Sequence, residues 1–340
     1  MAFLRGRRQI HHQDKEAGKD NIPLSQKAGE AADAAVRSIG MMDRVVPVPF
    51  SAVHLVRRLG NGGYCDVYEA AIRIEKQPPQ KFALKRLRTK DRGNFVSAVV
   101  DLASEAAILS HLDHPNIIQV RGIAAGPIEK SVASNDGFFV VLEVLEKTLT
   151  DQITLWGCFE MDLKGTREKR QALKERLMVA LQLARAIEYL HSQNIIHRDI
   201  KTDNVGIDAN GVVKLFDFGL AIKTRPTRSR LLREIVGSRN YMAPEIALRQ
   251  PYDQSVDVYS FGVVLWELCS MEVAFQGFNN QRHMHRVVKG GHRPRLRSAA
   301  GWTRPLKSLV RNCWSHDANE RPSMKEVVQE LEKLVEAGKQ

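Results

Sequence analysis

The chain has 340 residues, 43% hydrophobic and 26% charged, which is enough apolar content for one large or two modest cores and excludes a disordered or fibrous class. Its formal net charge of +12 and pI near 9.6 favour acidic partners: ATP, acidic protein surfaces, anionic lipid or nucleic acid. Cys65, Cys158, Cys269 and Cys313 are far apart and form no C-x-x-C pair, which argues against a zinc site or disulfide framework and for a reducing compartment.

Residues 1 to about 24 are polar, lack periodicity and read as disordered. Met1-Ala2-Phe3-Leu4 is too short for a signal-peptide core, and no apolar run approaches the roughly 18 residues of a membrane span. The reading is therefore a soluble, cytoplasmic protein with no transmembrane segment. Ser25 to Met42 is Ala-rich and predicts a helix, after which Pro47 and Pro49 mark a boundary, so residues 1–48 read as an N-terminal extension. Val53–Val56, Val67–Ile72 and Phe82–Lys85 read as strands. Phe95, Val96, Val99, Leu102, Ala106, Leu109 and Leu112 recur at helical spacing and predict an amphipathic helix. Ile117–Val120 and Phe138–Leu142 complete a sheet of five strands, giving a small first lobe over residues 49–145.

The second lobe, residues 146–340, reads as mainly helical. Extra basic loop is expected between Leu155 and Ala172, with Lys164, Arg167, Lys169 and Arg170. Leu173, Leu177, Leu181, Ala184 and Ile187 stripe a long helix ending near His191. Val205–Ile207 and Val212–Leu215 flank Asn210-Gly211, a hairpin signal because both residues tolerate positive φ. Further helices are expected over Ser255–Ser270 and Met324–Ala337. Between Val273 and His316 there is no acidic residue, although Arg282, Arg286, Lys289, Arg293, Arg295, Arg297, Arg304, Lys307 and Arg311 fall there. That run reads first as a solvated face, with docking of an acidic partner as the alternative.

Three motifs carry chemistry. Leu59-Gly60-Asn61-Gly62-Gly63-Tyr64-Cys65-Asp66-Val67 joins two strands, and its glycines let backbone amides approach phosphate oxygens. A dinucleotide fingerprint would lead into a helix instead. Lys85 ends the third strand, and Glu105 on the following helix is a candidate counter-ion. Ile196-His197-Arg198-Asp199-Ile200-Lys201-Thr202-Asp203-Asn204 and Leu215-Phe216-Asp217-Phe218-Gly219 put a candidate base, a lysine and two hard-oxygen metal ligands on two short loops. Phosphoryl transfer needs these parts.

Over residues 53 to 335 the sequence resembles eukaryotic protein kinases of the serine/threonine type. Tyr259-Ser260-Phe261-Gly262 and Cys313-Trp314 look most like the tyrosine-kinase-like group, which includes Raf and mixed-lineage kinases. The resemblance implies an α+β, bilobal fold: a small five-stranded antiparallel sheet lobe with one helix and a larger, mainly helical lobe. It implies ATP and Mg²⁺ as cofactors and proteins with Ser/Thr acceptors as substrates. The implied catalytic residues are Asp199, Lys201, Lys85 and Glu105. ATP would be held by Gly60, Asn61, Gly62, Gly63, Val67, Ala83, Lys85, the gatekeeper Leu142, the hinge residues Glu143 to Leu145, Asn204 and Asp217, the last two through metal. Glu245 would pair with Arg321, and Asp257 would hold the catalytic loop's backbone. Arg198 would pair with a phosphorylated activation-loop residue, Thr227 or Ser229 first, while Ser238 matches a substrate-binding position. Two departures stand out: Cys65 replaces the third glycine, and Gly206 falls where a large apolar residue usually underlies adenine. They keep open a pseudokinase scaffold. A nucleic-acid-binding protein is suggested by charge alone, without any recognisable motif.

Overall fold

The computed structural model describes residues 23–40, 42, 45–61, 64–73, 78–88, 95–133, 137–160, 165–224, 232–296 and 302–337. The expected disorder of the first residues therefore lies outside the described ones, as do Gly62, Gly63, Lys164, Arg225, Thr227, Arg228, Ser229, Arg230 and Arg297. Contacts divide the chain into two units: Ile118–Leu145 joins the chain up to Asp113, and His114–Ile117 joins Glu146–Gln340.

In chain order the first unit contains α1 (Leu24–Ile39), β1 (Pro47–Val48), β2 (Val53–Asn61), β3 (Cys65–Ile72), β4 (Gln80–Leu87), α2 (Phe95–Ser110), β5 (Val120–Ala124), α3 (Ile128–Ala133) and β6 (Phe139–Leu142). The sheet has six strands, ordered β1-β5-β6-β4-β3-β2, against the five expected. The extra strand, β1, pairs parallel with β5 at the sheet edge. Ile123 N–H donates to the Val46 carbonyl and Ala125 N–H to the Val48 carbonyl, so the bonds fall on the residues flanking Pro47 and its missing N–H costs nothing. The other pairings are antiparallel. The α1 helix, at the place where Ser25–Met42 predicted one, packs its Ala28, Ala32 and Val36 face inward and meets α2 and α3, and α3 is the one helix among the described residues of this unit that was not expected. The predicted strand at Ile117–Val120 is displaced to Val120–Ala124. The preceding residues turn to the other unit, where Asn116 donates to Gln182 and to the Val213 carbonyl and Ile117 bridges Leu215.

The second unit contains β7 (Lys147–Thr148), α4 (Leu149–Glu160), α5 (Thr166–Ser192), β8 (Ile195–Ile196), β9 (Val205–Ile207), β10 (Val213–Leu215), β11 (Ile222–Lys223), α6 (Pro244–Ala247), α7 (Ser255–Ser270), α8 (Asn280–His283, continued by a π-helical turn to Lys289), α9 (Arg304–Cys313) and α10 (Met324–Ala337). Arg167, Lys169 and Arg170 lie in the opening turns of α5, not in a loop. The β9–β10 hairpin forms, but only Gly211 takes positive φ, at 78°. The Asp208 carboxylate shapes the turn by accepting from the Asn210 and Val212 amides.

Almost every residue of α7 is buried, as expected of a helix apolar on all sides. At Gly262 a Cβ would come within 2.8 Å of the Cys313 Cβ, so the glycine lets α9 approach α7 closely. Among the described residues no helix is long and apolar enough to cross a membrane.

Candidate functional site

In the first unit, register gathers the candidate residues on one sheet face. Side chains alternate along a strand and face their cross-strand partners on the same side. Gly60 pairs with Val67, Val67 with Lys85, and Ala83 with Leu142. Ala83 and Lys85 are two apart, so Gly60, Val67, Lys85, Ala83 and Leu142 share a face. Asn61 ends β2, beside Gly60. Lys85 Nζ donates to Glu105 Oε2 of α2 at 2.6 Å, with the two side chains 17% and 3% exposed. A carboxylate this buried is tolerable because the ammonium partners it. Glu143 holds the start of the chain after β6: its N–H donates to the Gln119 carbonyl and its carboxylate accepts from the Gln119 N–H. Leu145 is partly buried nearby in sequence. Cys65, at the third-glycine position, is buried at the start of β3.

In the second unit, Asp257 anchors the backbone of the loop that follows β8. Its carboxylate accepts from the His197 amide at 2.9 Å, the Arg198 amide at 2.9 Å and His191 Nε2 at 3.0 Å. Burial pushes this acid's pKa up, but the bond and charge of His191, with His197, outweigh burial and hold it below its ordinary value. His197 is itself buried, which lowers its pKa despite the charges of Asp257, Asp199 and Asp217. Its Nδ1 accepts from the Asp199 amide at 3.3 Å and its ring meets Phe218 edge-on at 4.8 Å.

Asp199 is therefore anchored from both sides of the chain. Its Oδ2 accepts from Lys201 Nζ at 2.8 Å and Asn204 Nδ2 at 3.0 Å, and its Oδ1 from the Ser238 amide at 2.8 Å. Lys201 also donates to Ser238 Oγ at 2.8 Å. Gly237, at φ 99°, permits this approach, since a Cβ there would overlap the Arg198 carbonyl oxygen. Arg198 and Asp217 both take left-handed backbone, at φ 66° and 61°, a strain that concentrates at functional loops.

The donor set suits a small hard cation. Asn204 uses only its amide nitrogen, toward the Asp199 carbonyl and carboxylate, which leaves its amide oxygen as a donor. The Phe216 amide donates to the Asn204 carbonyl at 2.9 Å, so Asp217 follows directly on a residue tied to Asn204. One carboxylate and one amide oxygen match a cation that keeps water and phosphate in its remaining positions. Among the described residues no group of three or more His, Cys, Asp or Glu forms an all-protein metal cage.

Sequence reasoning did not find several supports. His191 reinforces Asp257, and Glu234 pairs with Arg198 at 2.9 Å. Tyr241 OH donates to Glu267 and meets Thr202 at 3.1 Å, bracing the turn after Lys201. These contacts join residues dozens of positions apart and have no periodic signal.

The chain is 30% identical over 290 residues to the Serine/threonine/tyrosine-protein kinase HT1 of Arabidopsis thaliana, covering 85% of this chain and 68% of that protein. It is 31% identical over 291 residues to the Probable serine/threonine-protein kinase drkD of Dictyostelium discoideum, covering 85% of this chain but 20% of that one. With the Serine/threonine-protein kinase STY17 of Arabidopsis thaliana the identity is 30% over 279 residues, 82% of this chain and 42% of the relative. Several relatives are thus much longer than the stretch they share with it. The model of the protein kinase domain matches residues 53–331, which span both units described above, and by that match the chain belongs to the protein kinase family.

Proposed function

We propose that the chain is an active kinase that transfers the γ-phosphate of Mg²⁺-ATP to serine and threonine hydroxyls of proteins. The observation that supports this most is the state of Asp199, whose carboxylate is fixed at both oxygens by Lys201, Asn204 and the Ser238 amide. A fixed carboxylate can align an incoming hydroxyl and accept its proton as the oxygen–phosphorus bond forms. Lys201, already bonded to Asp199, would offset charge on the transferred phosphate. Lys85, oriented by Glu105, would hold the nucleotide's other phosphates. Asn204 and Asp217 would hold Mg²⁺, which when bound neutralises phosphate oxygens. Gly60 to Gly63, Val67, Ala83, Leu142 and the segment Glu143 to Leu145 would receive the nucleotide. The relatives' names include serine/threonine kinases, and one is called a dual specificity kinase, so tyrosine transfer is an outcome to be measured.

The test is transfer from labelled ATP with Mg²⁺ to a generic basic protein and to the kinase itself, beside Asp217→Asn. Transfer by the wild type alone, with phosphoserine or phosphothreonine recovered, supports the reading. ATP binding without any transfer supports the pseudokinase scaffold instead.

A further inference from the structure

The acceptor side of Asp199 opens onto an unneutralised positive surface. Ser238 touches Asp199 through its amide and Lys201 through its hydroxyl, and the next residue is Arg239, which is exposed. The segment is not loose. Tyr241 N–H donates to the Ser238 carbonyl, Met242 N–H to the Arg239 carbonyl, and Asn240 Nδ2 to the Ala274 carbonyl. Arg239 is steadied by neutral groups alone: Nη1 donates to Asn280 Oδ1 and Nε to Asn240 Oδ1. Two residues beyond Asn280, the exposed Arg282 lies over the Phe278 ring, 4.3 Å from its centroid. Neither arginine pairs with a carboxylate among the described residues, and no acidic residue occurs between Val273 and His316. The positive field is felt inside the fold. His283, beside Arg282, is pushed down to about 4, first by burial and then by the charges of Arg239 and Arg293.

An arginine held by neutral amides keeps its charge uncompensated and has further donors for an incoming anion. We propose that Arg239 and Arg282 form a peptide subsite for an acidic side chain, carboxylate or phosphate, flanking the acceptor serine or threonine. This rests on the kinase reading and specifies its substrate class: serine or threonine in acidic sequence.

The experiment compares peptides with one serine flanked within three residues on either side by Asp, by Asn or by Lys, with a phosphoserine set to separate carboxylate from phosphate. Both kcat/KM and peptide Kd are measured, on the wild type, Arg239→Gln and Arg239→Glu. Ratios between peptides are taken within one preparation, so any overall loss of folding or activity cancels. The wild type should favour the Asp peptide over the Asn peptide by roughly fivefold, as expected of exposed charge pairs, and less at high salt. Arg239→Gln should bring that ratio within about twofold, and Arg239→Glu should favour the Lys peptide. Phosphorylation without an acidic preference, or a preference unchanged in both variants, overturns the subsite and leaves the kinase reading intact. An Arg239-dependent acidic preference in Kd without any phosphorylation sustains the subsite and overturns the kinase reading.

Discussion

Arg198 donates through Nη1 to Glu234 Oε2 at 2.9 Å and to the Tyr252 hydroxyl at 3.1 Å, while its Nε donates to the Leu220 carbonyl. The guanidinium next to Asp199 is thus tied to three segments, and one tie is a carboxylate carried by the chain itself. Leu232 and Tyr252 form an isolated backbone bridge, which pins the segment leading into Glu234. Arg198 is 8% exposed but Glu234 is 66% exposed, so solvent screens the pair strongly. Glu234→Gln in phosphate-free protein should therefore lower kcat by no more than about fivefold, with KM for ATP little changed. Steady-state kinetics on protein shown by mass spectrometry to carry no phosphate checks this; a loss of a hundredfold would mean the pair does far more than orient a loop.

Asp199→Ala removes the acceptor that three donors converge on and leaves Lys201 without its carboxylate. Turnover should fall by at least about 10²-fold, the lower range for a lost general base. Lys85→Met should do comparable harm by leaving Glu105, 3% exposed, without its cation. Nucleotide binding measured by calorimetry separates the two: Asp199→Ala should bind ATP like the wild type, and Lys85→Met should bind it more weakly. An unchanged turnover in either variant contradicts the role given to that residue.

Much of this site could be read from sequence because its parts are local. Asp199, Lys201 and Asn204 share six residues of chain, and Asp217 follows one hairpin later, so spacing alone groups them. Strand alternation likewise joins Ala83 to Lys85. The unread parts depend on tertiary pairing. Pro47 in a strand contradicts local propensity and works only because the parallel ladder bonds fall on Val46 and Val48, so the pairing with β5 never calls on the Pro47 nitrogen. Ile117 has the β-branched run of a strand, yet Asn116 spends its amide on Gln182 and Val213 and draws those residues to the other unit. The basic stretch at Arg167–Arg170 carries helix-forming residues and continues α5, where an insertion was expected.

Arg321 grips Glu245 with two parallel bonds, Nη1 to Oε1 at 2.6 Å and Nη2 to Oε2 at 2.9 Å, and both groups are buried. The same guanidinium donates to the Ser315 and Ser255 carbonyls and lies 5.1 Å from the Tyr259 ring centroid. Removing one partner strands a buried charge, a loss of about 3–5 kcal/mol. Glu245→Ala and Arg321→Ala should each reduce stability by that order, whereas a double change to apolar residues should recover part of the loss. Urea unfolding of the three variants measures the coupling directly; single variants as stable as the wild type would remove the pair from the framework.

Glu267 sits at the inner end of α7, where its Oε1 accepts from the Ala274 amide at 2.8 Å and its Oε2 from Tyr241 OH at 2.8 Å. Burial lifts its carboxyl to about 7, against the lowering effect of those two bonds, and the charge of Asp203 adds to the lift. An acid raised in the fold above its unfolded value favours the native state while protonated. Its contribution is complete below about pH 4.5 and is lost as pH rises through about 7, in total roughly 3 kcal/mol. His283 acts in the opposite sense: buried and held near 4, it favours the native state above its ordinary value of 6.5 and loses that contribution as pH falls toward 4. The two slopes oppose each other in the wild type and are separated by substitution. Glu267→Gln keeps an oxygen for the Ala274 amide and a polar group for Tyr241 but cannot ionise. Relative to this variant, the wild type should lose stability progressively between pH 5 and 7.5, read as a growing gap in Tm across that range. A gap that stays constant with pH would mean that Glu267 is ionised throughout in the folded chain.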